Sequence, residues 1–144
     1  MLKSQIEQQI KEALKAGDRR LVETLRFLIS AVKNAEIDSR RDATDEDVVM
    51  VVQKQVKQHR ESIEAFKSAG RDDLFQAEQA QLEILQGFLP RQLSEEEVRV
   101  IVQDTVSLLP EEEKNFGKVM GIIMGKVKGK AGGDLVSKIV KESL

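Results

Sequence analysis

The stretch Leu21-Val22-Glu23-Thr24-Leu25-Arg26-Phe27-Leu28-Ile29-Ser30-Ala31-Val32 decides the fold class. Leu21, Leu25, Leu28 and Val32 recur at steps of four, three and four, the period of a helix with one apolar side. The same spacing governs the rest of the chain. Val/Thr/Tyr-rich alternating runs bounded by Asn-Gly or Asp-Gly turns are missing, so strands are not expected. The predicted fold is all-α, with seven helices.

Working outward, Gly17 ends a helix over about 2–16, and Asp18 caps the one over about 19–38. Thr44 and the acids Asp45-Glu46-Asp47 start a long third helix that runs to about Ala69, with Gly70 as its stop. Asp72 begins a fourth over about 73–86, ended by Gly87. Phe88-Leu89-Pro90-Arg91-Gln92-Leu93 is an apolar connector broken by proline, and Ser94-Glu95-Glu96-Glu97 is a capping box for a helix to about Leu108. Pro110 and Glu111-Glu112-Glu113 form an acidic loop. Helices over about 116–128 and 134–144 follow, the last capped by Asp134. Pro90 is the expected boundary between a four-helix, bundle-like subdomain (residues 1–90) and a three-helix tail (residues 91–144).

Composition narrows the chemistry. The chain has 144 residues, 40% hydrophobic and 33% charged, a globular balance. With no cysteine there is no disulfide, thiolate metal site or cysteine nucleophile. No apolar run is long enough for a membrane span or a signal peptide, so the expected compartment is the cytoplasm. Net charge is −2, yet residues 114–144 carry seven lysines against only Asp134 and Glu142. A basic segment on an acidic body suits a polyanionic partner or, equally, solvated helix faces.

Candidate catalytic groups are few. His59 is the only imidazole and falls on the stripe Val49, Val52, Val56, Ile63 and Phe66, where a packed neighbour of the core is the commoner role. The consecutive glutamates at 95–97 and 111–113 fan outward and do not converge. No catalytic residue, metal site or cofactor is expected. Gly121 to Lys126 superficially resembles a phosphate-binding loop, but only three residues separate its glycines and Val127 replaces the Ser/Thr.

Glycines 117, 121, 125 and 129 recur every fourth residue, which on a helix makes one slowly drifting ridge. Val119, Met120, Ile123, Met124 and Val127 should face the core. Lys118 and Lys128 should border the ridge, with Lys126 on its other flank. Interior glycine costs about 1 kcal/mol relative to alanine, so either a close helix crossing or a ligand backbone should compensate Gly121 and Gly125. A phosphodiester chain suits bare glycine bordered by ammonium groups; helix packing is the commoner use of small residues. Gly132-Gly133-Asp134 could offer free N–H groups to a phosphate, although an Asp134 cap would repel it. Lys54, Lys57, Arg60, Lys67 and Arg71 form a second basic group, with Glu61 and Glu64 spaced as ordinary helix partners. Phe27, Phe66, Phe75, Phe88 and Phe116 are spaced as core or connector anchors, so any RNA would be held as folded RNA through phosphate, ribose and shape.

The run from Gln53 through His59 to Phe66, then Ala69-Gly70-Arg71-Asp72-Asp73-Leu74, resembles the GatB/YqeY family. So do Leu85, Phe88-Leu89-Pro90, Gln92-Leu93-Ser94, Gly117-Lys118-Val119-Met120-Gly121, Val127-Lys128-Gly129-Lys130-Ala131 and Leu135-Val136. The similarity covers nearly the whole chain, at the length of the free-standing YqeY-like members. It implies an all-helical fold with an N-terminal bundle and a small three-helix tail. In the glutamyl/aspartyl-tRNA amidotransferase, the related region is the C-terminal part of the GatB polypeptide and helps hold tRNA. Related modules are appended to a glutaminyl-tRNA synthetase. The resemblance thus implies a non-catalytic accessory protein of translation that binds tRNA. Carbon–nitrogen ligase activity with glutamine as amido donor comes by resemblance only, and no amidase nucleophile or ATP site is found. The expected contact residues are Lys118, Gly121, Gly125, Lys126, Lys128, Lys130 and Lys138. The alternative is a protein-docking module for an amidotransferase or aminoacyl-tRNA synthetase. Neither DNA nor a membrane is an expected partner.

Overall fold

The computed structural model describes residues 1–144 and is all-α. Its seven helices are α1 (Leu2–Ala16), α2 (Arg19–Ser39), α3 (Asp45–Ser68), α4 (Asp72–Gln86), α5 (Glu95–Leu108), α6 (Phe116–Lys126) and α7 (Gly133–Ser143), with a 3₁₀ turn at Glu111–Glu113. The chain divides into two compact units, Met1–Leu89 and Pro90–Leu144.

In the first unit, α1 packs on α2, and α3 packs chiefly on α4. Ile6, Leu25, Leu28, Val32, Val48, Val52 and Leu85 form the fully buried centre. Gly17 (φ 73°) stops α1 in the left-handed region, where a side chain would be strained. Asp18 accepts a hydrogen bond from the Leu21 N–H at 3.2 Å and starts α2. His59 Nδ1 meets Glu78 Oε2 across α3 and α4, both side chains half-buried.

In the second unit, α5, α6 and α7 enclose Val98, Val102, Val119, Ile123, Val127, Val136, Ile139 and Val140. Arg99 of α5 donates to Glu142 of α7 at 2.9 Å and to Glu95 at 3.0 Å.

One starting device serves both units. At α3, Thr44 Oγ1 accepts from the Asp47 N–H (3.2 Å), Asp47 Oδ2 accepts from the Thr44 N–H (2.9 Å), and Arg41 grips the same carboxylate at 2.6 and 3.1 Å. At α5, Ser94, Glu97 and Arg91 repeat the arrangement at identical spacing. The Arg41 guanidinium, with the Thr44 N–H, lowers the Asp47 pKa from its ordinary 3.8 to about 2. A carboxyl depressed on folding stabilises the native state above its unfolded pKa and loses that contribution as pH falls toward the folded value. The wild type should therefore lose stability between about pH 4 and pH 2 through this group. In Asp47→Asn that limb should flatten, as read by urea melts across the acid range.

Two boundaries differ from expectation. α7 is capped by Gly132, not Asp134; Gly132 is extended (φ −80°, ψ 150°), and Asp134 lies in the first turn, where its charge complements the helix dipole. α6 stops at Lys126, two residues early. Val127–Lys130 forms a turn with Gly129 left-handed (φ 77°) and buried. The Gly129 carbonyl accepts from Gln92 Nε2 at 2.9 Å, and the Lys130 carbonyl accepts from the Leu93 N–H at 2.8 Å. The connector after Pro90 thus holds the turn in place.

Candidate nucleic-acid interface

α6 starts at Asn115, whose Oδ1 accepts from the Lys118 N–H at 3.0 Å. Val119 and Ile123 are fully buried, which turns Gly117, Gly121 and Gly125 to the opposite, exposed side. A Cβ at Gly121 or Gly125 would meet nothing within 4 Å, and one at Gly117 would meet only Asn115 Oδ1 at 3.7 Å. The strip is therefore uncovered along α6, and neither α5 nor α7 crosses closely enough to compensate its glycines. Gly129 does not belong to it. That glycine is buried in the turn and supplies the left-handed conformation needed there.

The lysines do not all gather at the strip. Lys118 stands beside it, about 20° round the helix from Gly125, and its Nζ lies 3.7 Å from Glu113 Oε1. Lys126 is not on the opposite flank. Its ammonium donates to the buried Thr105 Oγ1 of α5 at 2.8 Å. Lys128 and Lys130 are exposed on the turn beyond α6, so Lys128 no longer continues the helical ridge. Lys138 Nζ sits 3.6 Å from Glu95 Oε1, and Lys141 lies over the Phe116 ring at 5.7 Å from its centroid. No three His, Asp or Glu side chains converge as metal ligands. No helix is long and apolar enough to cross a membrane.

Two phenylalanines expected as core or connector anchors are exposed instead: Phe27 on α2 (65%) and Phe116 on α6 (40%). The signal for Phe27 is present in the sequence, since it lies 200° round the helix from the buried Leu25. Phe116 stands at the first residue of α6, with Lys141 over its ring.

A family profile described as "Yqey-like protein" matches residues 3–144. Among similar proteins is "Altered inheritance of mitochondria protein 41, mitochondrial" of Pyrenophora tritici-repentis (strain Pt-1C-BFP). It is 32% identical over 141 residues, covering 95% of this chain and 77% of the relative. A protein of the same name from Eremothecium gossypii is 39% identical over 85 residues, 58% of this chain and 46% of its own length.

Proposed function

Because the chain belongs to the YqeY-like family, we propose that it is a non-catalytic accessory protein that binds folded RNA, specifically tRNA, in the cytoplasm. The observation that carries this reading is the uncovered backbone of α6 at Gly121 and Gly125, with Lys118 beside it and Lys128 and Lys130 on the turn that follows. No side chain keeps a phosphodiester chain away from this strip, and ammonium groups border it. Folded RNA suits the site because contact runs through phosphate, ribose and shape. Lys126 and Lys138 add to the local positive field while tied to Thr105 and Glu95. Carbon–nitrogen ligation would belong to the amidotransferase the protein serves; glutamine-dependent amidation by the pure chain would overturn this assignment.

The test is filter binding of purified tRNA over a salt series. Replacing Lys118 and Lys130 by glutamate should weaken binding at least tenfold and lower the magnitude of the log–log salt slope by about 2, close to one per lost phosphate contact. Both side chains are exposed, so helicity should not change. Undiminished affinity of the double variant at moderate salt would show that the surface is misassigned. Ile122, 38% exposed beside the strip, favours a second reading, a docking surface for a helix of an amidotransferase or aminoacyl-tRNA synthetase. Under that reading Gly121→Leu abolishes co-purification with the enzyme, and the lysine changes matter little.

A further inference from the structure

We propose that the outward face of α2, in the first unit, binds single-stranded RNA, with an unstacked base on Phe27 and phosphates at Arg19, Arg20, Arg26 and Lys33. This site goes beyond the tail reading and does not rest on it: the unit, the form of RNA and the contact chemistry all differ.

Nine residues form the face in three parallel columns of period seven: Arg19, Arg26 and Lys33; Glu23, Ser30 and Ile37; Arg20, Phe27 and Asn34. At 100° per residue the columns cover about 140° of the helix surface and run about 27 Å along it. All nine are exposed by more than a third of their surface, and Phe27 and Ile37 are the two apolar members. The opposite side of α2 holds the buried Leu25, Leu28, Ile29 and Val32.

The face carries four cations and one acid. An ordinary solvated helix face neutralises such charges in pairs three or four residues apart. Glu23 is spaced to pair with Arg19, Arg20 or Arg26, yet none of the four cations forms an ion pair or a hydrogen bond through its side chain. Lys33 acts only at a distance, helping to hold Glu36 below the usual carboxylate range after the larger effects of Lys3 and the Ala43 N–H. In the second unit, by contrast, Lys114, Lys118, Lys126 and Lys138 all have partners within the chain. Four cations without a side-chain partner thus stand together on one face of α2.

Phe27 decides the class of polyanion. It is 65% exposed, in one column with Arg20 and next to Arg26 in sequence. An aromatic surface flanked by cations is what a single strand uses: bases stack on the ring and the backbone follows the charges. Three of the four cations are arginines, whose planar guanidinium matches a phosphate in two-point contact and can stack on a base.

The experiment measures fluorescence anisotropy of a labelled twelve-nucleotide oligouridylate against the full chain over a salt series. Phe27→Leu, which keeps an apolar side chain but removes the ring, should weaken binding about tenfold, and Phe27→Trp should restore it. Arg20→Gln with Arg26→Gln should lower the magnitude of the salt slope by about 1.4, at about 0.7 per phosphate on a single strand. Lys118→Glu with Lys130→Glu should leave oligouridylate binding intact even where tRNA binding is lost, so either site can fail alone. These are exposed positions, and unchanged thermal melts will confirm folding. The proposal is overturned if the wild type does not bind the oligonucleotide or if the α2 variants bind it as tightly. It is also overturned if Phe27 instead governs sedimentation with vesicles of phosphatidylglycerol and phosphatidylcholine.

Discussion

Replacing Ile123 with alanine should remove a large share of the stability of α5–α7 while α1–α4 keep theirs. Ile123 is fully buried among Val98, Val102, Val119, Val127 and Val140, side chains stiff at χ1 that cannot swing in to fill the space. A buried isoleucine-to-alanine change costs about 2–5 kcal/mol, through lost transfer energy and the cavity left behind. A unit of about 55 residues has only about 3–8 kcal/mol to lose. The first unit draws on a separate cluster around Leu25, Leu28, Val52 and Leu85. Residue-resolved amide exchange should show protection strongly reduced in residues 95–143 and kept in α2 and α3. Equal loss in both units would show that the two cores fold as one.

Gly121→Ala with Gly125→Ala should have the opposite effect on the same unit. Both glycines sit inside α6 without a left-handed backbone angle, and an added Cβ meets nothing at either. Alanine in place of an interior helical glycine is worth about 1 kcal/mol, part of it through restricting the unfolded chain. The pair should therefore gain about 2 kcal/mol and raise the melting temperature of the unit by on the order of 10 °C. If RNA approaches this backbone, the same methyl groups should reduce tRNA affinity, giving a tighter fold with weaker binding. A gain in stability with tRNA affinity unchanged would show that the bare strip touches no ligand.

The helices are legible in the sequence because their limits are local. Asp18, Thr44 and Ser94 each act on an N–H three residues away, and Gly17 acts on its own backbone, so a short window contains cause and effect. The end of α6 is not legible in that way. Its turn is held by Gln92 and Leu93, more than thirty residues upstream, and nothing in the sequence around Val127 encodes that contact. At α7, the intrinsic preference for aspartate as a cap loses to an extended Gly132, with Asp134 placed two residues into the dipole. For the candidate tail site, periodicity correctly turns Gly121 and Gly125 away from Ile123. It cannot place the ammonium groups, because helix phase fixes a Cβ and a lysine then reaches through four methylenes. Lys126 ends on Thr105, and Lys138 stands near Glu95. The α2 cations do not stand out in the sequence, because seven-residue columns on a solvated face look ordinary until the absence of partners is seen.

Arg41, Thr44 and Asp47 do for α3 what Arg91, Ser94 and Glu97 do for α5, with the same offsets and the same triple grip on one carboxylate. Three side chains within a seven-residue window make a portable ignition cassette that asks nothing of the core beneath it. Exchanging the two trios should leave both helices starting where they do now, and the same trio could be grafted ahead of α7, which opens on glycine.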